Sequence, residues 1–444
     1  MIRAAIAVFF AVLAVPAHAI DIQEVTSPGG IKAWLVQDDT IPFVAVEFSF
    51  KGGASLDQPG KRGAINLMTA TLEEGAGTRD SVAFAQAVED LGAQFSFDVG
   101  DDALTVGMRA LSENRDQAAA LLAEALTQPR FDDAAVERVR AQVASVIRSE
   151  ATDPQSIAAK EMSRQAWGDH PYATSINGTL ESVAALTRQD LVAAKNRVLA
   201  RDRVVVGAAG DITPEELGLL LDQVLGGLPE QGTAPLPEPA QLQLTGGVTV
   251  IDWDSPQTVV SFAGPGLPID DPDYFAAYVA NHILGGGGFS SRLMEEIREK
   301  RGLTYGVGTT LATGIYGQTW QGGMAGSNAT TGQAVDLIRQ EWDRMAQGGV
   351  TDRELTDAKT YLTGEYPLRF DGNGSIAGIL AGMQLIGFPI DYVNTRNAKV
   401  EAVTAEDVKR VAAELLDADA LRFVLVGRPE GIEATDGTAA EAVN

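Results

Sequence analysis

The sequence predicts an α+β protein of two homologous domains, each an antiparallel-rich sheet covered by helices, joined by a Pro/Gly-rich linker. Three observations carry this. The chain has 444 residues with 45% hydrophobic and 6% aromatic content, a globular composition at a length that favours a duplicated or multi-domain unit. Two helix-then-strand patterns recur at one offset of roughly 217–219 residues, too long for a solenoid repeat and right for domain duplication. Hairpin-like strand pairs outnumber strict strand–helix–strand alternation, which favours mixed antiparallel sheets over a doubly wound parallel one.

Along the chain, "MIRAAIAVFFAVLAVPAHAI" has one early cation, Arg3, an apolar run and a small-x-small ending at Ala17-His18-Ala19. It predicts an export signal cleaved before Ile20, with an apolar core too short to favour a membrane span. An exported chain with no cysteine predicts a bacterial periplasmic location, and the missing thiols exclude disulfides, Cys-ligated zinc and thiol catalysis. The formal charge of -26 argues against nucleic acid and anionic membranes as partners.

The first domain, 20–228, opens with the extended stretch "IPFVAVEFSF". "GKRGAINLMTATLEEGAGTRD" (60–80) follows, with Ala64, Ile65, Met68 and Leu72 at helical spacing. "AQFSFDVGDDALTVGMRAL" reads as a hairpin turning at Asp101-Asp102, and "DQAAALLAEALTQ" as a helix. "FDDAAVERVRAQVASVI" (131–147) is a helix opened by acidic capping residues, and "VTDRELTDAKTYLTGEY" (350–366) repeats its layout with Asp352 matching Asp133. "LTRQDLVAAKNRVLARDRVVVGAAGDI" (186–212) is likewise paralleled by "VTAEDVKRVAAELLDADALRFVLVGRP" (403–429). Residues 229–243 form the linker, 244–431 the second domain, and the small polar stretch 432–444 is expected to be a disordered tail.

Candidate chemistry is sparse. The three histidines are His18, His170 and His282. The first leaves with the signal and the others lie over a hundred residues apart, so no histidine pair can share a helical turn. Neither lies near a nucleophile-elbow sequence. His282 reads as a packed helical residue and His170 as a structural loop residue; an autonomous site of His170 with nearby acids is the outlying alternative. In "LGGGGFSSRLMEEIREKRGLTYGVG" the run Gly285, Gly286, Gly287 and Gly288 reads as a hinge or a tight turn, because no Gly-Lys-Ser/Thr follows it. Arg298 at the end of the next helix and Tyr305 beyond Gly302 are placed to converge on one cleft.

"GKRGAINLMTATLEEGAGTR" strongly resembles the motif region of the pitrilysin/insulysin-type zinc peptidases, the group that includes mitochondrial processing peptidase. Catalytic members carry an H-x-x-E-H motif there. Aligned on Gly60-Lys61-Arg62-Gly63, its first His falls at Asn66, its general-base Glu at Thr69 and its second His at Ala70. The distal Glu ligand is expected in "AQVASVIRSEATDP", where Glu150 is the nearest carboxylate. "SSRLMEEIREKRGLTYGV" matches the second-domain signature and maps the family's substrate-holding Arg and Tyr onto Arg298 and Tyr305. The duplication and the mid-chain linker extend the resemblance over the whole mature chain.

The departure decides what the resemblance implies. Zinc needs ionisable N or O donors and its water needs a base. Asn66, Thr69 and Ala70 supply neither, so this chain is expected to bind no metal and to have no catalytic residue of its own. The resemblance implies a non-catalytic subunit of a heteromeric periplasmic zinc peptidase, a heterodimer or heterotetramer. A homologous partner would supply the zinc, and this chain would give Arg298, Tyr305 and part of the chamber for peptide substrates. The alternative is an inert structural or peptide-binding scaffold of the same fold.

Overall fold

The computed structural model describes residues 20–435, so the expected export signal lies outside the described residues. Two sheets are built on one plan. In the first, the strands run Gln23–Thr26, Lys32–Gln37, Val204–Gly210, Phe43–Lys51, Ala103–Leu111 and Gln94–Val99 across the sheet. Only Lys32–Gln37 and Val204–Gly210 are parallel; every other neighbour is antiparallel. In the second, the order is Thr304–Thr313, Gln318–Ser327, Gln257–Pro265, Arg422–Val426 and Gly247–Ile251, again with one parallel pair, Arg422–Val426 beside Gly247–Ile251. In the first half the last strand inserts between Lys32–Gln37 and Phe43–Lys51, in the second between Gly247–Ile251 and Gln257–Pro265, and a hairpin forms the far edge of each sheet. The sequence repeat is thus a repeat of topology.

The local signals act as read. Phe48 and Phe50 alternate with Glu47 and Ser49, so one face of the Phe43–Lys51 strand enters a core with Leu35, Leu67 and Met68. The second core gathers Phe262, Trp320, Trp342 and Phe423. The repeated helices Arg188–Val198 and Ala405–Leu415 start with the same reciprocal cap, Thr187 with Asp190 and Thr404 with Asp407. The 101–102 hairpin turn is also found where expected, between Gln94–Val99 and Ala103–Leu111.

One expectation is corrected, and two features add to the expected organisation. The halves 20–228 and 244–431 pack helices onto each other's sheets. Helix Pro154–Trp167 of the first half packs on strands Gln257–Pro265 and Arg422–Val426 of the second sheet, through Ala158 and Met162 against Ala263, Val424 and Val426. Helix Asn373–Leu385 of the second half packs in turn on Val204–Gly210 and Phe43–Lys51. There Gln384 Nε2 donates to the Val206 carbonyl at 2.7 Å. Each sheet needs its second face covered, and each half lends the other a helix. Next, the linker has no regular element but is held along its length. Ala234 is buried, Ala240 N donates to the Tyr316 carbonyl at 2.6 Å, and Gln243 N to Ala166 at 2.9 Å. Finally, the expected tail does not begin at 432. Ile432 packs against the second core, and Thr435 N donates to the Val248 carbonyl at 2.9 Å. The rest of that tail lies outside the described residues.

Candidate functional site

The 60–80 stretch forms a helix of six residues, Ala64–Thr69, shorter than its apolar spacing extends. Its start is set by Gly63 at φ 93 and by Asp57, whose two oxygens accept from Gly63 N at 2.8 Å and Ile65 N at 2.9 Å. Asp57's side chain is 3% exposed, and burial pushes its carboxyl up to about 6 despite those bonds and nearby Arg62. Ala64, Ile65, Met68 and Leu72 are all buried, so the amphipathic reading holds.

The three motif positions are occupied by other chemistry. Asn66 Nδ2 donates to Asn177 Oδ1 at 2.8 Å, and Asn177 Nδ2 donates to Glu150 Oε1 at 2.6 Å. Glu150 ends helix Asp133–Glu150, so an amide bridge joins the two helices where the family places its ligands. Thr69 is buried with its hydroxyl donating back to the Ile65 carbonyl at 2.8 Å, and Ala70 packs against the first core. No group of three or more His, Asp or Glu side chains is placed to hold a metal among the described residues. The donor set does not fit zinc: an amide, a hydroxyl spent on its own helix and a methyl offer one neutral, weak ligand. Asn177 was missed by sequence reasoning; it sits in the loop "SINGT", and no local pattern links it to Asn66.

Two further carboxylates gather nearby. Burial and the charges of Glu74 and Asp98 push Glu73 up, and burial with Asp98 does the same to Glu47. Glu74 pairs with Arg138.

In the second half, Arg298 lies in the last turn of the Met294–Glu299 segment, which is wound as a π-helix. Its guanidinium lies over the Phe289 ring at 4.4 Å and beside Glu299 at 3.3 Å. Tyr305 projects from a bulge at the start of Thr304–Thr313 and is 87% exposed. Along that strand, at about 3.3 Å per residue, Tyr305 stands roughly 25–30 Å from the hairpin tip at 314–317. The glycine run packs as a tight turn. A Cβ on Gly285 would lie 2.5 Å from Thr309 Oγ1, on Gly286 2.6 Å from Asn281 Nδ2 and on Gly287 2.7 Å from the His282 carbonyl. Only Gly288, with φ 58, has open space. His282 lies in a π-helical turn and stacks on Tyr361 with centroids 5.0 Å apart.

The halves meet at their hairpin tips. Asp102 accepts the Tyr172 hydroxyl through Oδ1 and the Ile315 N–H at 2.9 Å through Oδ2, while Tyr316 N donates to the same Tyr172 oxygen at 3.1 Å. Asp101 pairs with Arg62 at 2.8 Å. His170 is structural, as expected: Nδ1 accepts from Tyr172 N and Nε2 faces the Glu238 carbonyl, both at 3.2 Å. Burial lowers its pKa, favouring the neutral ring.

These features define a class: a duplicated peptidase architecture whose metal triad has been replaced. Two family models match the chain, insulinase (peptidase family M16) over residues 32–180 and the peptidase M16 inactive domain over 185–362. The chain belongs to the M16 peptidase family, as an inactive homologue without the metal motif. Among its relatives, a non-peptidase homologue of Helicobacter pylori is 26% identical, over 88% of this chain and 90% of that protein. A probable mitochondrial-processing peptidase subunit beta of Schizosaccharomyces pombe is 25% identical, over 86% of this chain and 85% of that one. A solved peptidase M16 inactive domain from Pseudomonas fluorescens superposes with TM-score 0.86 at 29% identity, covering 93% of this chain and 99% of its own.

Proposed function

We propose that this chain is the non-catalytic subunit of a heteromeric zinc peptidase, exported to the periplasm. A homologous partner carries the zinc, its ligands and the base. This chain contributes Arg298 and Tyr305 to hold a peptide at the partner's metal, and it forms part of the chamber wall. One contrast carries the reading. Asn66 is tied to Asn177 and Glu150, Thr69 bonds back to its own helix and Ala70 offers no donor, while Tyr305 stands 87% exposed with Arg298 braced on Phe289. A tyrosine so exposed has no packing role to explain its place. Arg298 offers donors for a peptide carbonyl and Tyr305 a phenolic O–H for a developing oxyanion. Among the described residues no helix is long and apolar enough to cross a membrane.

The test is reconstitution. This chain, a relative with an intact H-x-x-E-H motif, and their mixture are assayed on unstructured peptides with zinc. Activity is expected mainly in the mixture. Arg298→Ala or Tyr305→Phe in this chain lowers it by about 10²–10³-fold if the pair stabilises the transition state. Full activity of the relative alone overturns the reading and leaves a scaffold of the same fold.

A further inference from the structure

Between the two halves, just beside the joined hairpin tips, lies a cleft of about 530 Å³. Its lining includes Asp101, Asp102, Ser163, Trp167, Tyr172 and Gln321, drawn from both halves. Neither Arg298 nor Tyr305 is among the residues that line it.

Its charge is not balanced. Asp101 faces Arg62 at 2.8 Å. Asp102 receives only neutral donors, the Tyr172 hydroxyl and the Ile315 N–H, and no cation pairs with it among the described residues. A carboxylate offers about four lone-pair sites, so two remain for a ligand. The walls beside it are aromatic: Trp167 and Tyr172 stand edge to face with centroids 5.7 Å apart. Glycines make room for them. A Cβ on Gly317 would lie 2.7 Å from the Trp167 ring, and one on Gly314 would lie 2.9 Å from the Tyr172 hydroxyl. A formal negative charge beside aromatic rings, in an open cleft, suits an organic cation that satisfies both at once.

We propose that this cleft binds a guanidinium or ammonium side chain of an extended peptide, with Asp102 as its counter-charge and Trp167 and Tyr172 as its walls. That the cation arrives on a peptide rests on the peptide-holding function proposed above; the cation site rests on this chain alone.

The experiment therefore uses the purified chain with no partner and no zinc. Capped tripeptides with a central arginine or its neutral isostere citrulline are titrated by calorimetry and by tryptophan fluorescence, with agmatine as a free cation. The arginine peptide is expected to bind saturably, at least about tenfold tighter than the citrulline peptide and tighter than agmatine, with a change in tryptophan emission that Trp167→Phe abolishes. Asp102→Asn is expected to remove the preference for the arginine peptide over the citrulline peptide. Equal binding of arginine and citrulline peptides, or no binding, overturns the proposal; agmatine binding as tightly as the peptide overturns its peptide source. Should Asp102→Asn fail to fold, the comparison on the unaltered chain decides alone. Reconstituted peptidase activity is not measured here, so the cleft and the subunit role can fail separately.

Discussion

Asp57 is where a single residue's chemistry is most exposed to test. Its carboxylate is buried to hold the first N–H groups of the Ala64–Thr69 helix, and burial raises its pKa from an ordinary 3.8 to about 6. A raised folded-state pKa means that the folded chain holds this proton more tightly than the unfolded chain. The contribution to stability is therefore full below about pH 4 and is lost as pH rises through about 6. The span of about two pKa units corresponds to roughly 2–3 kcal/mol. Asp57→Asn keeps one acceptor and cannot titrate. Urea unfolding between pH 4 and 6.5 should show the parent losing about 2 kcal/mol more than the variant; parallel curves refute the assignment. None of this was legible in "SLDQPGKRG", because the capping residue lies outside the helix and only the folded loop brings it there. The Asn66, Thr69 and Ala70 positions were legible because the surrounding frame is so closely kept. Their replacement partner, Asn177, was not, since a hydrogen bond across 111 residues leaves no local trace.

At the scale of elements, the exchanged helices were also hidden from the sequence, though the elements themselves were not. Periodicity and capping placed Arg115–Thr127, Asp133–Glu150, Asp352–Glu365 and the repeated 186–212 and 403–429 units. Periodicity says which face of a helix is apolar but not which sheet receives it, and that choice is made by shape at contact. Gly207 shows how close the contact is: a Cβ there would lie 2.1 Å from the Ala377 carbonyl and 2.7 Å from Ala381 N of the Asn373–Leu385 helix. The strand can only shift or push the helix away. Gly207→Ala is expected to cost about 2–3 kcal/mol by overpacking, outweighing the gain in strand propensity. Gly378→Ala, on the same helix with open space around it, serves as the control and should change stability by less than about 1 kcal/mol. Equal effects from the two would mean that the helix does not seat on this sheet.

For the whole molecule, the duplication gives two domains, while the packing ties them together through exchanged helices. The first sheet is finished by a helix from the second half, the second by a helix from the first, and the linker is bonded to Tyr316 and Ala166 on the way. Cutting the chain at the linker separates each sheet from one of its covers. The fragment 20–243 would expose the apolar residues beneath Asn373–Leu385, among them Trp34, which clusters with Leu380 and Met383. The fragment 244–435 would expose Ile251, Ala263, Val424 and Val426. Uncovered sheet faces of this kind favour aggregation over independent folding. Each fragment expressed alone is thus expected to be insoluble or to lack a cooperative unfolding transition. Co-expression should restore a single transition, because the exchanged helices dock without a covalent link. Two fragments that each melt cooperatively, at temperatures unaffected by mixing, would show that the halves are independent after all. They would also remove the reason the interdomain cleft has a fixed shape, because Asp102, Tyr172 and the 314–317 tip keep their geometry only while both halves share one core.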